Sequence, residues 1–334
     1  MKSFFRSLLF SLILFSCNLD EYSGVSGSAI QFDVSGWVMN GENITCLDFD
    51  PDGNAWIGTG TSLVFYDRKR TQRYDAGSEI LDISVSADGK VWLGTRDKGL
   101  ACLEDQKFKF YTVANAGLPR DLILAVETTP DGSVWFSSSA HRLGGLMHFD
   151  GKKFELFTPE NSPLNQNLIL DLKADKNGNI FLTSAGTVTQ AKVFMIDNRK
   201  NWKVPGGETE FYWIASIDVN SKSEPVVATD HSLSSCMGCY SNDVVIFRGG
   251  KWEKLNKDFE LSFFNRMFVD KRDFIWVQGS LDGDYNGYLV FDGKKWHRSK
   301  KDQIPDVFIH SVSVDLQNNL WFCSNEGIFV LKQS

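Results

Sequence analysis

Hydrophobic and polar positions alternate along most of the chain in short runs, a pattern typical of β-strands with one buried face. In one stretch Leu81–Ser86 alternates, an Asp-Gly pair supplies a hairpin turn, and Val91–Thr95 alternates again. Leu100–Glu104 and Phe108–Thr112 continue the pattern after a short loop. No helical period competes with it beyond the N-terminal segment. The stretch predicts four consecutive antiparallel strands.

The same pattern recurs along the chain. One residue, usually Trp, marks the second strand of each copy: Trp56, Trp92, Trp135, Phe181, Val226, Trp276 and Trp321. These anchors lie 36, 43, 46, 45, 50 and 45 residues apart, and an apolar residue stands nine positions before each one. Seven copies of a four-stranded unit predict an all-β fold, a seven-bladed β-propeller of four-stranded antiparallel blades.

Ring closure needs a strand from outside the last copy, which ends after a third strand at Gly327–Leu331. Residues 32–39 match residues 291–298, the end of the sixth copy. We therefore expect Trp37–Met39 to join the last blade as its outer strand. Residues 30–32 also resemble a third strand, which leaves open a closure with two strands from each end.

The repeat has the form Asp-x-x-Gly-x-x-Trp-x-Gly-Thr, then Gly-Leu, then Phe-Asp-Gly-Lys-x-Phe. It resembles the two-component regulator propeller repeats of hybrid histidine kinase sensors and related exported proteins. The resemblance is weak in copy five, where residues 222–225 replace the turn. No transmembrane, kinase or response-regulator segment follows Ser334, so we do not expect this polypeptide to signal directly.

The N-terminus reads as a signal peptide, with Lys2 and Arg6 before an apolar run that is too short to span a bilayer. Residues 14–17, Leu-Phe-Ser-Cys, resemble a bacterial lipobox. We expect residues 1–16 to be removed, Cys17 to be acylated, residues 17–29 to form a flexible tether, and residues 30–334 to form the propeller. The expected location is the cell envelope, anchored to the outer membrane. An ordinary secretory signal is the alternative.

Composition supports a large folded core, since 42% of the residues are hydrophobic and 13% are aromatic. The formal net charge is −7, and Lys and Arg are scattered along the sequence, so nucleic acid is not an expected partner. Neither Gly-x-Ser-x-Gly nor His-Glu-x-x-His occurs. These features favour a binding protein. A propeller enzyme, such as a lyase acting on an extracellular polymer or glycoside, is the alternative.

Binding residues should break the repeat, whereas recurring aromatics should pack blade against blade. The breaks concentrate in the loops after the second strands of copies three, five and six and in the connections beside them. The ligand-binding candidates are His141, Arg142, Tyr212, Trp213, His231, Tyr240, Phe263, Phe264, Arg266 and Tyr285. The expected ligand is a glycan fragment, a peptide or an envelope protein. The aromatics could instead plug the channel of a scaffold subunit.

Two irregular sites in the copy-five and copy-six loops could be covalent or metal sites. Cys236 and Cys239 predict a local disulfide, because an exported protein folds in an oxidising compartment. A zinc site that adds His231 and Asp243 is the alternative. Cys46, Cys102 and Cys323 fall within strands and should be small buried residues.

The copy-six loop contains the first half of a calcium-loop pattern, with Asp282, Asp284 and Asn286 as the oxygen ligands. Gly293 stands where the twelfth-position acid belongs, so a polar turn without an ion is the alternative. Calcium is the one cofactor that the sequence suggests.

Overall fold

A computed structural model describes residues 25–26, 33–140, 143–184, 190–207, 209–230, 242–259, 261, 263–280, 288–298, 305 and 307–332. In these residues 29 strands form seven sheets, and the one helix, α1 (Val113–Ala116), has four residues. The fold is therefore the predicted all-β, seven-bladed propeller. No helix among the described residues is long and apolar enough to span a membrane.

The strands are as follows, with each blade given from the inside outward. Two N-terminal strands, β1 (Val25–Ser26) and β2 (Asp33–Val38), precede blade 1. Blade 1 contains β3 (Cys46–Phe49), β4 (Ala55–Thr59), β5 (Ser62–Tyr66) and β6 (Thr71–Asp75); blade 2 contains β7 (Ile80–Val85), β8 (Val91–Thr95), β9 (Leu100–Glu104) and β10 (Lys107–Tyr111). Blade 3 contains β11 (Ile123–Thr128), β12 (Val134–Ala140), β13 (Leu143–Phe149) and β14 (Phe154–Phe157); blade 4 contains β15 (Ile169–Ala174), β16 (Ile180–Ser184), β17 (Val193–Ile196) and β18 (Trp202–Lys203). Blade 5 contains β19 (Trp213–Val219), β20 (Pro225–Asp230), β21 (Asn242–Arg248) and β22 (Lys251–Lys254); blade 6 contains β23 (Phe263–Val269), β24 (Ile275–Ser280), β25 (Tyr288–Phe291) and β26 (Trp296–Arg298). Blade 7 contains β27 (Ile309–Val314), β28 (Leu320–Ser324) and β29 (Gly327–Lys332).

The ring closes by the predicted N-terminal strand. β2 pairs antiparallel with β29, with Trp37 opposite Phe329, and becomes the outer strand of blade 7. Blade 7 thus takes three strands from the C-terminal end and one from the N-terminal end, and the two-plus-two closure is not the one observed. β1 pairs in parallel with β26 on the outside of blade 6.

The core consists of wedges between adjacent blades. Seven clusters of buried hydrophobic side chains are present, and each combines residues of two neighbouring blades. The anchors contribute to these clusters, and Trp276 is fully buried, with its Nε1 donating to Asp270 Oδ2 at 3.1 Å. The recurring aromatics are therefore packing residues, as predicted.

The turn between the first and second strands has one conformation throughout the ring. In each of these turns, the residue with positive φ stands two positions before the second strand, as Gly89 does with φ of 82°. This is typical of a type I turn followed by a left-handed residue. In blade 5 Ser223 takes this position with φ of 63°, and Asn220 Oδ1 accepts from Glu224 N at 2.9 Å. The turn survives in copy five because an Asn side chain organises it.

The disc has two faces, which we call the turn face and the loop face. The turn face carries the turns between first and second strands (inner turns) and between third and fourth strands (outer turns). Neighbouring inner turns bond to one another, as in Asn177 Nδ2 to Ser223 Oγ at 3.1 Å and Lys271 N to Asn318 Oδ1 at 3.0 Å. The loop face carries the loops after the second strands and the connections between blades.

Candidate functional site

A cavity of about 230 Å³ occupies the central channel. Residues from the innermost strands of all seven blades line it: Thr45, Cys46, Leu81, Asp82, Leu124, Ala125, Leu170, Asp171, Lys173, Ala215–Asp218, Arg266–Phe268 and His310–Val312. Most of these residues lie in the first halves of the inner strands, and those strands begin at the loop face. The cavity therefore belongs to the loop-face half of the channel.

The repeat itself explains why polar side chains line the channel. The residue nine positions before each anchor is apolar and packs between blades, as Leu172 does with 1% exposure. Side chains alternate along a strand, so the positions eight and ten before each anchor point the other way. In blade 4 these positions hold Lys173 and Asp171, and both line the cavity.

In four of the seven blades, an aspartate of the inner strand bonds to the inner strand of the next blade. An inner strand has no sheet partner on its channel side, so some of its N–H groups need other acceptors. Asp48 Oδ2 accepts from Val85 N at 2.7 Å, and Asp82 Oδ2 accepts from Val126 N at 2.8 Å. In the same way Asp171 accepts from Ile217 N at 3.2 Å and Asp218 from Val269 N at 2.7 Å. All four carboxylates are structural acceptors, and Asp82, Asp171 and Asp218 also line the cavity.

Lys173 is a cation that lines the cavity close to these carboxylates. Its Nζ donates to Glu127 Oε1 at 3.1 Å, and the side chains are 41% and 19% exposed to the channel. Glu127, together with the charges of Asp171 and Asp218, raises the pKa of Lys173 well above its usual value. Lys173 is therefore protonated, and solvent in the channel screens its attraction to the carboxylates.

Burial dominates the titration of the nearby acids. Loss of hydration raises the pKa of Glu127 to about 8, although the ammonium of Lys173 opposes this shift. The same cause raises the pKa values of Asp48 and Asp82 to about 6, and those of Asp171 and Asp218 also rise. Asp82, Asp171 and Asp218 line the cavity, and acids with shifted pKa values in such a place are candidates for ligand recognition or proton transfer.

Arg266 and His310 lie nearer the loop face. His310 Nε2 lies 3.0 Å from Asn43 Oδ1, and partial burial, followed by the charge of Arg266, lowers the pKa of the imidazole. The imidazole is thus neutral at neutral pH. Arg266 is exposed, so its guanidinium is free to contact a ligand that enters the channel.

Most of the exposed apolar side chains among the described residues lie on the loop face. The described residues include six exposed large hydrophobic side chains, and four of them belong to the loop face. They are Val113, Leu143, Tyr212 and Phe308, with exposures of 48%, 55%, 59% and 58%. Exposed apolar side chains gathered on one face of a monomer often mark a binding surface.

The structure brings together only part of the predicted binding set. Arg266 lines the cavity, Trp213 begins β19 and is half-buried, and its neighbour Tyr212 is exposed. Phe263 and Phe264 pair with the end of β24, but their side chains lie outside the described part of the chain. The remaining candidates also lie outside it: Cys17, His141, Arg142, His231, Cys236, Cys239, Tyr240, Asp282, Asp284, Tyr285 and Asn286.

The cysteine prediction is confirmed where the structure describes it. Cys46, Cys102 and Cys323 are buried and free. Burial raises the pKa of Cys102 and that of Cys323 to about 12, so neither is a reactive thiolate. Within the described residues no group of three or more His, Cys, Asp and Glu side chains could hold a metal ion.

The channel residues are the part that sequence reasoning missed. The loops attracted attention because they break the repeat, whereas Lys173 and the aspartates keep its spacing. The usable signal is the identity of the residues eight and ten positions before each anchor. In several copies these residues are charged, whereas a strand that is buried on both of its faces usually has apolar residues at both.

Part of the chain is similar in sequence to a known protein family. The sequence model of the family described as two component regulator propeller matches residues 39–61, which include β3 and β4. No curated protein matches the sequence.

Several solved structures are similar in fold. The extracellular domain of a putative hybrid two component system from B. thetaiotaomicron aligns with a TM-score of 0.65 and 14% identity, covering 91% of this chain and 42% of that one. A catalytically inactive virginiamycin B lyase from Staphylococcus aureus, solved with quinupristin, gives 0.67 and 12%, covering 91% and 99%. PorZ, a surface component of the type-IX secretion system of Porphyromonas gingivalis, gives 0.58 and 14%, covering 89% and 47%.

At these identities the similarity concerns the fold. This chain spans less than half the length of the B. thetaiotaomicron domain and of the PorZ chain. The resemblance to the two component regulator propeller repeat is confirmed at residues 39–61, and the chain folds as a seven-bladed β-propeller.

Proposed function

We propose that this chain is a non-catalytic binding propeller of the bacterial cell envelope, and that its ligand binds on the loop face at the mouth of the central channel. One observation carries the proposal: a polar, solvent-accessible cavity lies toward the face that holds most of the exposed apolar side chains. Clefts that combine apolar surroundings with a few convergent polar groups are typical ligand sites.

The cavity lining favours particular ligand groups. Asp82, Asp171 and Asp218 accept hydrogen bonds, and Arg266 donates them. A glycan fragment or a peptide offers many donors and some acceptors, so both remain in the proposal. An envelope protein that inserts a loop into the channel would present the same groups. The exposed apolar side chains of the loop face would then contact sugar faces or apolar side chains of the ligand.

The envelope location is part of the same proposal. Acylation at Cys17 is supported by the lipobox-like residues before the propeller, and the proposal extends to anchoring in the outer membrane and surface exposure. Solved structures of similar fold include extracellular domains. Replacing Cys17 by Ala should release the protein from the membrane fraction, and a variant that still sediments with membranes would contradict the anchor.

The copy-five and copy-six loops remain part of the proposed binding face. We retain the Cys236–Cys239 disulfide without bound metal, which mass spectrometry under non-reducing conditions tests. Calcium at Asp282, Asp284 and Asn286 is tested by the change in melting temperature on adding calcium, because an ion that binds the folded protein alone raises it.

The binding test starts from arrays of glycans and peptides, followed by calorimetry on the members retained. Arg266→Ala and Asp171→Asn should each weaken binding about tenfold, because hydrogen bonds to charged groups are the stronger class. Arg199→Ala is the matched control, since Arg199 is equally exposed but belongs to an outer turn. Unchanged affinity in both channel variants, with the fold intact, would place the site elsewhere.

A lyase is the second candidate, and Glu127 is the observation that favours it. Its pKa of about 8 lies near neutral pH, and Glu127 bonds to Lys173, which lines the cavity, so Glu127 can take up or release a proton beside it. If the array ligand is cleaved on incubation, Glu127→Gln should abolish cleavage while binding persists. A ligand that stays intact over the same time supports binding without catalysis.

A further inference from the structure

We propose that the turn face lies against the membrane, with a rim of Lys and Arg side chains on anionic lipid headgroups, and that the loop face points away. The inference rests on the acyl anchor proposed above. It concerns the face opposite the proposed ligand site, and so it goes beyond ligand binding.

The direction of β1 shows where the chain enters the disc. β1 pairs in parallel with β26, with Val25 opposite Trp296 and Ser26 opposite His297. β26 starts at the outer turn of blade 6 and runs toward the loop face, and β1 runs the same way. Val25, opposite the first residue of β26, therefore lies closer to the turn face than Ser26 does.

The tether is short. Seven residues lie between Cys17 and Val25, and the eight steps from one Cα to the next span at most about 29 Å when fully extended. An acyl anchor on such a tether holds the turn-face edge of blade 6 near the bilayer. Tethering alone still allows the disc to tilt, so a second interaction must fix its orientation.

Charge on the outer turns supplies that interaction. The six outer turns are residues 67–70, 104–107, 150–153, 197–200, 248–251 and 292–295. Together they contain twelve Lys and Arg residues against six Asp and Glu residues, in a chain of net charge −7. The basic residues are scattered along the sequence, but the repeat gathers them into a ring on one face.

Several of these cations are available to a partner. Lys152 and Lys153 are exposed and form no salt bridge with other described residues, and Lys294 and Lys295 are alike in this. The acids in the same turns are used locally: Asp150 Oδ1 accepts from Lys152 N and Lys153 N at 2.8 and 2.7 Å. The carboxylates shape the turns while the lysine ammonium groups remain free for phosphate oxygens.

The channel that opens on the opposite face carries acidic side chains. Asp82, Asp171 and Asp218 line its cavity. An anionic bilayer attracts basic groups within a Debye length of its surface and repels acidic ones. Both effects favour the same orientation, with the channel mouth open to the surroundings.

The experiment uses the protein's own lysines as probes. Full-length acylated protein is bound to vesicles of phosphatidylcholine, alone or with about a third phosphatidylglycerol, and lysine acetylation is followed by mass spectrometry. Lys152, Lys153, Lys294 and Lys295 should react about fivefold more slowly on the anionic vesicles than in detergent. Lys257, in the connection between blades 5 and 6, is the loop-face reference and should not change. In about 0.5 M salt the protection should disappear.

A charge-reversed variant tests the cause of the protection. Lys152→Glu, Lys153→Glu, Lys294→Glu and Lys295→Glu together should leave the acylated protein on the vesicles but remove protection from the other rim lysines, such as Lys107. The matched control is Lys98→Glu with Lys257→Glu on the loop face, which should change nothing. Continued protection of Lys107 in the rim variant would overturn the proposal, as would equal protection of both faces in the unmodified protein.

Failure of the anchor is read separately. A protein that does not float with neutral vesicles contradicts acylation at Cys17, whereas the footprint on anionic vesicles still decides whether the rim contacts lipid. Loss of array ligand binding affects neither readout.

Discussion

The turn face and the loop face are built by the same repeat, but only the turn face repeats strictly. The left-handed position of the inner turn holds Gly53, Gly89, Gly132, Gly178, Ser223, Asp273 and Asn318 in the seven blades, with φ between 63° and 83°. On the loop face, one connection forms α1 and others leave Tyr212 or Phe308 exposed. The conformation of the turn face is therefore set by the fold, whereas the loop face varies from blade to blade and can carry a ligand site.

The largest expected effect comes from breaking the ring. Deleting residues 30–40 removes β2, leaves the edge of β29 unpaired and removes the contact between Trp37 and Phe329. The melting temperature should fall by about 10 °C, and the exposed edge should promote association. Calorimetry with light scattering measures both. Deleting residues 18–24, which precede β1, is the control, and equal melting of the two deletions would argue against closure by β2.

The next effect concerns the carboxylates between blades. Asp218→Ala leaves Val269 N, which donates to Asp218 Oδ2 at 2.7 Å, without its acceptor. The free energy of unfolding should fall by about 1–3 kcal/mol, the usual cost of an unsatisfied buried donor. Denaturant unfolding measures the change. Asp52→Ala, at an exposed turn-face position, should stay within about 0.5 kcal/mol. If both substitutions cost the same, the channel aspartates are not structural acceptors.

The two regions should also differ in pH dependence. A carboxyl whose pKa is raised by folding stabilises the protein below its unfolded value near 4, and this contribution is lost as the pH rises through the folded value. For Asp82 that value is about 6 and for Glu127 about 8. In the turns, side-chain hydrogen bonds from Arg70 and Lys90 lower the pKa values of Asp67 and Asp88 to about 2, so their contribution is lost only below about pH 4.

The melting temperature should therefore fall as the pH rises from 5 to 8, and it should also fall as the pH drops below about 4. Glu127→Gln mimics the protonated acid, so it should raise the melting temperature at pH 8 more than at pH 5 and flatten the upper part of the profile. Glu104→Gln, in an exposed outer turn, is the control and should leave the profile unchanged. A Glu127→Gln profile parallel to that of the unmodified protein would refute the shifted pKa.

Much of the fold could be predicted because each blade repeats the information. The spacing of Trp56, Trp92 and the other anchors, together with the apolar residues nine positions earlier, fixed blade number and register. In blade 2 the predicted strands differ from the observed ones by one residue at four of their ends. Closure was less certain, because residues 30–32 resemble a third strand. The choice depends on pairing between Trp37 and Phe329, which are almost 300 residues apart.

The site was harder to predict. Arg266 was identified because its surroundings break the repeat, but Asp171 and Lys173 were not, because they keep its spacing. Their roles depend on which residues face each other across the channel, and each inner strand comes from a different blade. The basic rim was hidden for the same reason. Residues such as Lys152 and Lys294 are far apart in sequence and meet only through the ring.

The smallest effect on stability, and the sharpest test of the two faces, concerns their exposed apolar residues. Tyr212 is 59% exposed on the loop face and Leu316 is 53% exposed on the turn face, so replacing either by Ala should change the free energy of unfolding by less than about 0.5 kcal/mol. Their effects on binding should differ. If Tyr212 stacks on a sugar ring or an apolar side chain, it contributes about 1 kcal/mol, and Tyr212→Ala should weaken calorimetric binding of the array ligand about fivefold. Leu316→Ala should leave that affinity unchanged, because the turn face takes no part in binding. Reduced affinity in the Leu316 variant would contradict a binding site confined to the loop face and the channel. Unchanged affinity in the Tyr212 variant, while Arg266→Ala still weakens binding, would confine the site to the channel.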